Sequence, residues 1–150
     1  ILKMVKSLFS LDATSIPERS KDSKYYVWSA VFVTMLGYSI ILPFFPPLAQ
    51  DLGISEVMIS VIFSVHPLAS LVTSVLMKNH VARFGRQNLL VLGMIISGLS
   101  QGGFGLIEFF ENEPTIVFIG ITMRIFEGVS YAFCRNSALS ILTLNYPDLA

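Results

Sequence analysis

Charged residues in this chain come in clusters, and the stretches between clusters decide what it can be. No Asp, Glu, Lys or Arg lies between Lys24 and Asp51, between Glu56 and Lys78, or between Arg86 and Glu108. Each of these gaps, wound as an α-helix, is long enough to cross the ~30 Å hydrocarbon core of a bilayer. A fourth apolar stretch runs from Thr115 to Leu144 and carries Arg124, Glu127 and Arg135. Charged residues make up 13% of the chain, against about 25% in soluble domains. The implied fold is an all-α, polytopic membrane helix bundle.

Helix signals place the spans at about 25–49, 57–77, 89–107 and 115–144. Gly53 supplies a turn after the first span, and Ser55 is a candidate N-cap for the second, with Glu56 suited to the positive end of that helix. Pro114 fits the first turn of the fourth span. Pro43, Pro46 and Pro47 are expected to break or kink the outer end of the first, because proline removes backbone donors. Residues 1–24 are mixed and polar, with no apolar core of the kind a cleavable signal peptide needs. They read as a cytosolic tail.

Orientation follows from lysine and arginine placement. Lys3, Lys6, Arg19, Lys21 and Lys24 precede the first span, and Lys78, Arg83 and Arg86 lie between the second and third. The opposite loops hold no basic residue, only Asp51, Glu56, Glu108, Glu111 and Glu113. A cytosolic N-terminus is therefore expected, with the acidic loops facing the exterior or an organelle lumen. Tyr25, Tyr26 and Trp28 suit an interfacial belt.

Net charge is zero, which gives no sign of a nucleic-acid partner. Cys134 is the single cysteine, so no internal disulfide forms, and no Cys/His cluster has metal-ligand spacing. No nucleophile–base pair or phosphate-binding loop points to an enzyme or a cofactor.

Chemistry concentrates in the fourth span. Arg124 lies about 15 Å beyond Pro114 along a helix, near the bilayer midplane, where an arginine costs at least ~2.5 kcal/mol unless paired or hydrated. Glu127 is one turn on and within reach, and Tyr131 and Arg135 continue the same stripe. Arg135, near the helix end, is placed to snorkel. Arg124, Glu127 and Tyr131 are thus candidates for a solute or proton pathway, with Glu127 exchanging a proton as solute binds. The structural alternative is an ion pair that locks the fourth helix to its neighbours. Small residues at four-residue spacing (Ser70 and Ser74, Gly93 and Ser97, Gly98 and Gly102) predict close helix packing, as does Gly128. His66, before Pro67, reads as a packing residue. Ser60, Ser64 and Thr73 are expected to bond their own backbone carbonyls.

The loop Lys78-Asn-His-Val-Ala-Arg83-Phe-Gly85-Arg86-Gln87 resembles the major facilitator signature Gly-x-x-x-Asp-Arg-x-Gly-Arg-Arg/Lys. Arg83, Gly85 and Arg86 match, while Lys78, Ala82 and Gln87 replace the first glycine, the acidic residue and the last basic one. Arg124-Ile-Phe-Glu127-Gly128-Val-Ser-Tyr-Ala132 is similar to that family's Arg-x-x-Gln-Gly-x-Gly-Ala-Ala pattern, with Glu for Gln. Within the family, Pro43-Phe-Phe-Pro46, Gly103-Phe-Gly105 and the Arg124 segment look most like the vesicular amine and polyamine transporter branch. The resemblance implies the first four helices of a major-facilitator fold, with Arg124 facing a central cavity and Arg83, Gly85 and Arg86 in a cytosolic gating latch. Ala82, in place of the acidic residue, implies a weaker latch.

It further implies secondary active transport of a small organic solute, with exchange of protons for an organic cation such as a polyamine. The first span lacks the acidic residue of monoamine carriers, which favours a polyamine-type or unassigned solute. Expected partners are the lipid bilayer, the solute, protons and the remaining helices of the same transporter, of which this chain reads as a fragment. The rival is a membrane anchor or assembly subunit of transporter ancestry. A small dimeric four-helix exporter is disfavoured, since it needs an acidic residue in the first helix.

Overall fold

A computed structural model describes residues 23–145 except 79 and 111, without the side chains at 23, 24, 26, 82, 83, 108 and 145. The tail at 1–22, Glu111 and the side chains of Arg83, Tyr26 and Glu108 therefore lie outside the described residues. Apart from short turns, the rest is helical: α1 Ser23–Asp51, α2 Glu56–Met77, the one-turn α3 Val81–Phe84, α4 Arg86–Gly105 and α5 Glu113–Asn145, with a 3-10 turn Leu106–Phe109 after α4. α1, α2, α4 and α5 are each long and apolar enough to span a membrane.

Boundaries follow local chemistry. The Ser55 side chain accepts a bond from the Met58 N–H and caps α2, and Glu56 lies in the first turn. Gly85 takes φ +84°, a backbone conformation in which a Cβ is strained, and this sharp turn separates α3 from α4. α4 therefore begins at Arg86, a turn earlier than the spacing of apolar residues predicts. The prolines of α1 do not break it: the helix runs through Pro43, Pro46 and Pro47 to Asp51. Pro43 and Pro47 are exposed and Pro46 half-buried, so the rings sit away from the densest packing.

α5 is the hub, packed most extensively on α4 and α2 and less on α1. Backbones come close where glycine removes the side chain. A Cβ on Gly128 of α5 would lie 2.5 Å from the His66 carbonyl of α2, and one on Gly93 of α4 would lie 2.9 Å from the Ser130 carbonyl of α5. Ser97 beside this seam is buried and accepts a bond from the Gln101 amide. The Ser100 hydroxyl donates to the Met123 carbonyl across the α4–α5 seam. Gly98 and Gly102 differ from expectation: both are exposed, and a Cβ on either meets open space. Four-residue spacing put each pair on a common face but did not say which face turns inward. Ser60 and Ser64 donate to the carbonyls of Glu56 and Ser60, the local pairing expected of hydroxyls on a helix.

The core has two apolar parts. Phe45, Ala49, Ile54, Ile59, Ile62, Phe104, Ile107 and Ile116 gather at the acidic end, while Val27, Ala138 and Ile141 pack at the basic end. Between them lies a polar layer that includes Thr34, His66, Ser70, Arg124, Glu127 and Ser130, all buried. Overpacking a tight crossing costs roughly 1–3 kcal/mol. Gly128→Val should therefore lower the thermal unfolding midpoint of the detergent-purified protein, whereas Gly98→Ala, whose Cβ meets open space, should leave it unchanged or raise it slightly.

Candidate functional site

The polar layer is built around Arg124. It sits about 16 Å from the start of α5, counting 1.5 Å per residue from Glu113, and its exposure is 0%. One turn on, Glu127 is 2% exposed. The Arg124 Nη1 donates to Glu127 Oε2 at 2.6 Å. The i,i+3 spacing brings these side chains together on one face, as the sequence suggests.

Three other helices close over the guanidinium with aromatic rings. Its central carbon lies 4.5 Å from the ring centroid of Phe63 in α2, 4.7 Å from Phe104 in α4 and 5.3 Å from Tyr38 in α1. A desolvated guanidinium over ring faces gains about 2 kcal/mol or more. Phe45 braces two of these rings edge-on, at 5.8 Å from Phe63 and 5.2 Å from Phe104. Nothing in the spacing of Tyr38, Phe63 and Phe104 announces this box, because its walls come from three separate helices.

The pair is incompletely satisfied. Arg124 Nε and Nη2 and Glu127 Oε1 are buried without a hydrogen-bond partner, as is the Ser137 hydroxyl. Buried polar atoms left unpaired are rare and mark functional or strained places. His66 stacks on Tyr38 at 4.7 Å and lies 5.7 Å from Tyr131, which links the box to the next polar residue of the stripe. Tyr131 is half-buried and lines a cleft of about 140 Å³ between α1 and α5, with Val31, Thr34, Met35, Cys134 and Arg135. Arg135 is exposed. The stripe thus runs from the sealed pair to an open rim at the basic end.

The loop signature is only partly within view. Gly85 makes the turn described above, and Arg86 Nε donates to the Ser140 hydroxyl of α5 at 2.6 Å. This bond ties the start of α4 to α5 within the same bundle, a contact that the sequence pattern does not predict. Among the described residues no group of three His, Cys, Asp or Glu is placed to hold a metal ion.

These placements, a central arginine on the fourth span and a glycine-arginine turn between the second and third, accompany a match of residues 27–149 to the family model of the Major Facilitator Superfamily. The chain belongs to that superfamily. It is 30% identical over 132 residues to the human MFS-type transporter SLC18B1, covering 86% of this chain and 29% of the relative. The mouse MFS-type transporter SLC18B1 is 28% identical over 114 residues, covering 76% of this chain and 25% of the relative. Multidrug resistance protein 2 of Bacillus subtilis is 33% identical over 105 residues, covering 70% and 24%. The chain thus spans less than a third of the length of these relatives. No solved structure matches. Membership of the superfamily and four membrane-length helices make this a multi-pass integral membrane protein.

Removing one member of a buried ion pair costs roughly 3–5 kcal/mol, because the other is left without compensation. Glu127→Ala should therefore destabilise the protein strongly, while Arg124→Met combined with Glu127→Met should recover most of the loss. Denaturant or thermal melts of the three purified proteins check this.

Proposed function

We propose that this protein is a secondary active transporter of a small organic solute, and that α1, α2, α4 and α5 are the first four helices of its N-terminal half. The observation that carries this reading is the Arg124–Glu127 pair, buried at mid-span with unpartnered polar atoms on both members. Ionisable groups inside a membrane span are expensive and mark solute or proton pathways. Relatives named as transporters and as a multidrug resistance protein support transport as the activity. A complete carrier places its solute site at the midplane, between two halves; the depth of Arg124 agrees with such a place.

In the finer reading the solute is an organic cation such as a polyamine, exchanged for protons, with Glu127 taking up and releasing the proton. Tyr131 and the stripe toward Arg135 line the path to the basic end. Arg83, Gly85 and Arg86 gate that end, with the Arg86–Ser140 bond holding α4 in register. The N-terminus is cytosolic, and the remaining helices of the transporter complete the cavity. An anchor or assembly role is less well supported, since a helix that only anchors gains nothing from a half-satisfied ion pair in its middle.

Uptake by the full-length protein in proteoliposomes under an imposed proton gradient tests the reading. Arg124→Ala should still insert, although the Glu127 left without its partner lowers the stability of the fold, and should abolish uptake. Normal uptake by that variant would reduce Arg124 to a structural residue. Glu127→Gln should lose acceleration by the gradient, and proton-driven uptake at the wild-type rate would end its coupling role. Orientation is tested separately in a eukaryotic host. A glycosylation acceptor inserted between Gly53 and Ser55 should be modified, and one inserted next to His80 should not.

A further inference from the structure

Arg124 and Glu127 are the charged residues among the buried ones described, in a layer whose other titratable side chains include His66, Tyr38, Tyr131 and the Cys134 thiol that accepts from Thr34. Their formal charges cancel, yet their surroundings are not neutral toward a visiting charge. Glu127 Oε2 occupies the Nη1 edge of the guanidinium, and Oε1 remains a buried acceptor without a donor. Arg124 Nε and Nη2 remain donors without an acceptor. Taken alone, the pair would offer as much to an anion as to a cation.

The rings break that symmetry. Phe63, Phe104 and Tyr38 turn toward the guanidinium, and the face of an aromatic ring is its negative side. A carboxylate brought to the free edge of Arg124 would meet the Glu127 carboxylate next to it and ring faces around it, both repulsive. An ammonium brought to Oε1 would meet a carboxylate oxygen without a donor and one guanidinium already paired.

Resting on the transport-site reading above, we propose that Glu127 sets the charge preference of this site. It fills, from within α5, the position at Arg124 that a solute carboxylate would otherwise take, so that the site accepts ammonium groups and rejects carboxylates. The family pattern has glutamine here, which would hold Arg124 by its amide oxygen but supply no counter-charge.

The test uses two probes of matched shape, tyramine and 4-hydroxyphenylacetate, which differ in carrying an ammonium or a carboxylate. Binding to the purified full-length protein is measured at one fixed pH by calorimetry. The wild type should bind tyramine tighter by about tenfold or more, the scale of a close charge pair excluded from water. Glu127→Gln should reverse the order, and Glu127→Asp should keep it. If Glu127→Gln does not fold, Arg124→Gln decides instead, because an uncompensated Glu127 should widen the preference for tyramine. A wild type that binds both probes equally, or neither, overturns the proposal, as does an unchanged ratio in the variant that folds. A merely structural pair would alter both affinities together and leave their ratio alone. A wild type that shows no preference while uptake is intact would refute this role of Glu127 only, whereas absence of uptake would refute the transport reading itself.

Discussion

A guanidinium withdrawn from water cannot be left alone, and the middle of this bundle is arranged around that demand. Arg124 brings one positive charge to the depth where a bilayer is least forgiving. The counter-charge comes from its own helix through Glu127, and ring faces arrive from three others. Each of the four long helices thus contributes to one group. The positions of α1, α2 and α4 around α5 are coupled through it, although their apolar contacts with one another are modest. In a membrane, where lipid tails compete equally for apolar side chains, a shared polar centre of this kind specifies an arrangement that hydrophobic burial cannot.

Close approach makes that sharing possible. Gly128 lets the α2 backbone come up against α5 one residue after Glu127, and Gly93 does the same for α4 on the neighbouring face. The rings of Phe63 and Phe104 reach the guanidinium because the helices that carry them lie so near α5. Packing and site are therefore not separate features. The residues that permit contact flank the residues that need it.

Charge spacing was enough to read the four spans, and the Arg124–Glu127 contact followed from helical geometry because both residues are local to one helix. What depends on rotation about a helix axis was less legible. Gly93 and Gly98 obey the same small-residue spacing, yet one faces α5 and the other open space; only the neighbours decide. The aromatic box was invisible for a related reason, since Tyr38, Phe63 and Phe104 are separated by long stretches of chain and their rings resemble any others in an apolar span. The prolines of α1 misled in the opposite sense. Proline withholds one backbone donor and crowds the preceding turn, yet α1 runs through all three, with Pro43 and Pro47 turned outward. The tie between Arg86 and Ser140 was hidden because a serine near a helix end carries no signature.

The unbroken course of α1 has a mechanical consequence. Each proline ring leaves the carbonyl four residues earlier without its helical donor, so Ser39, Leu42 and Pro43 lose the usual rung of the ladder within little more than one turn. The segment keeps helical shape while giving up much of the bending stiffness that those rungs provide. On the opposite side of the same segment, Phe45 is clamped between Phe63 and Phe104. One side of α1 is thus held fast while the other is compliant. Force applied to the acidic end of this helix would be taken up as flexure above the arginine, and the lower half of α1 would stay seated on α5.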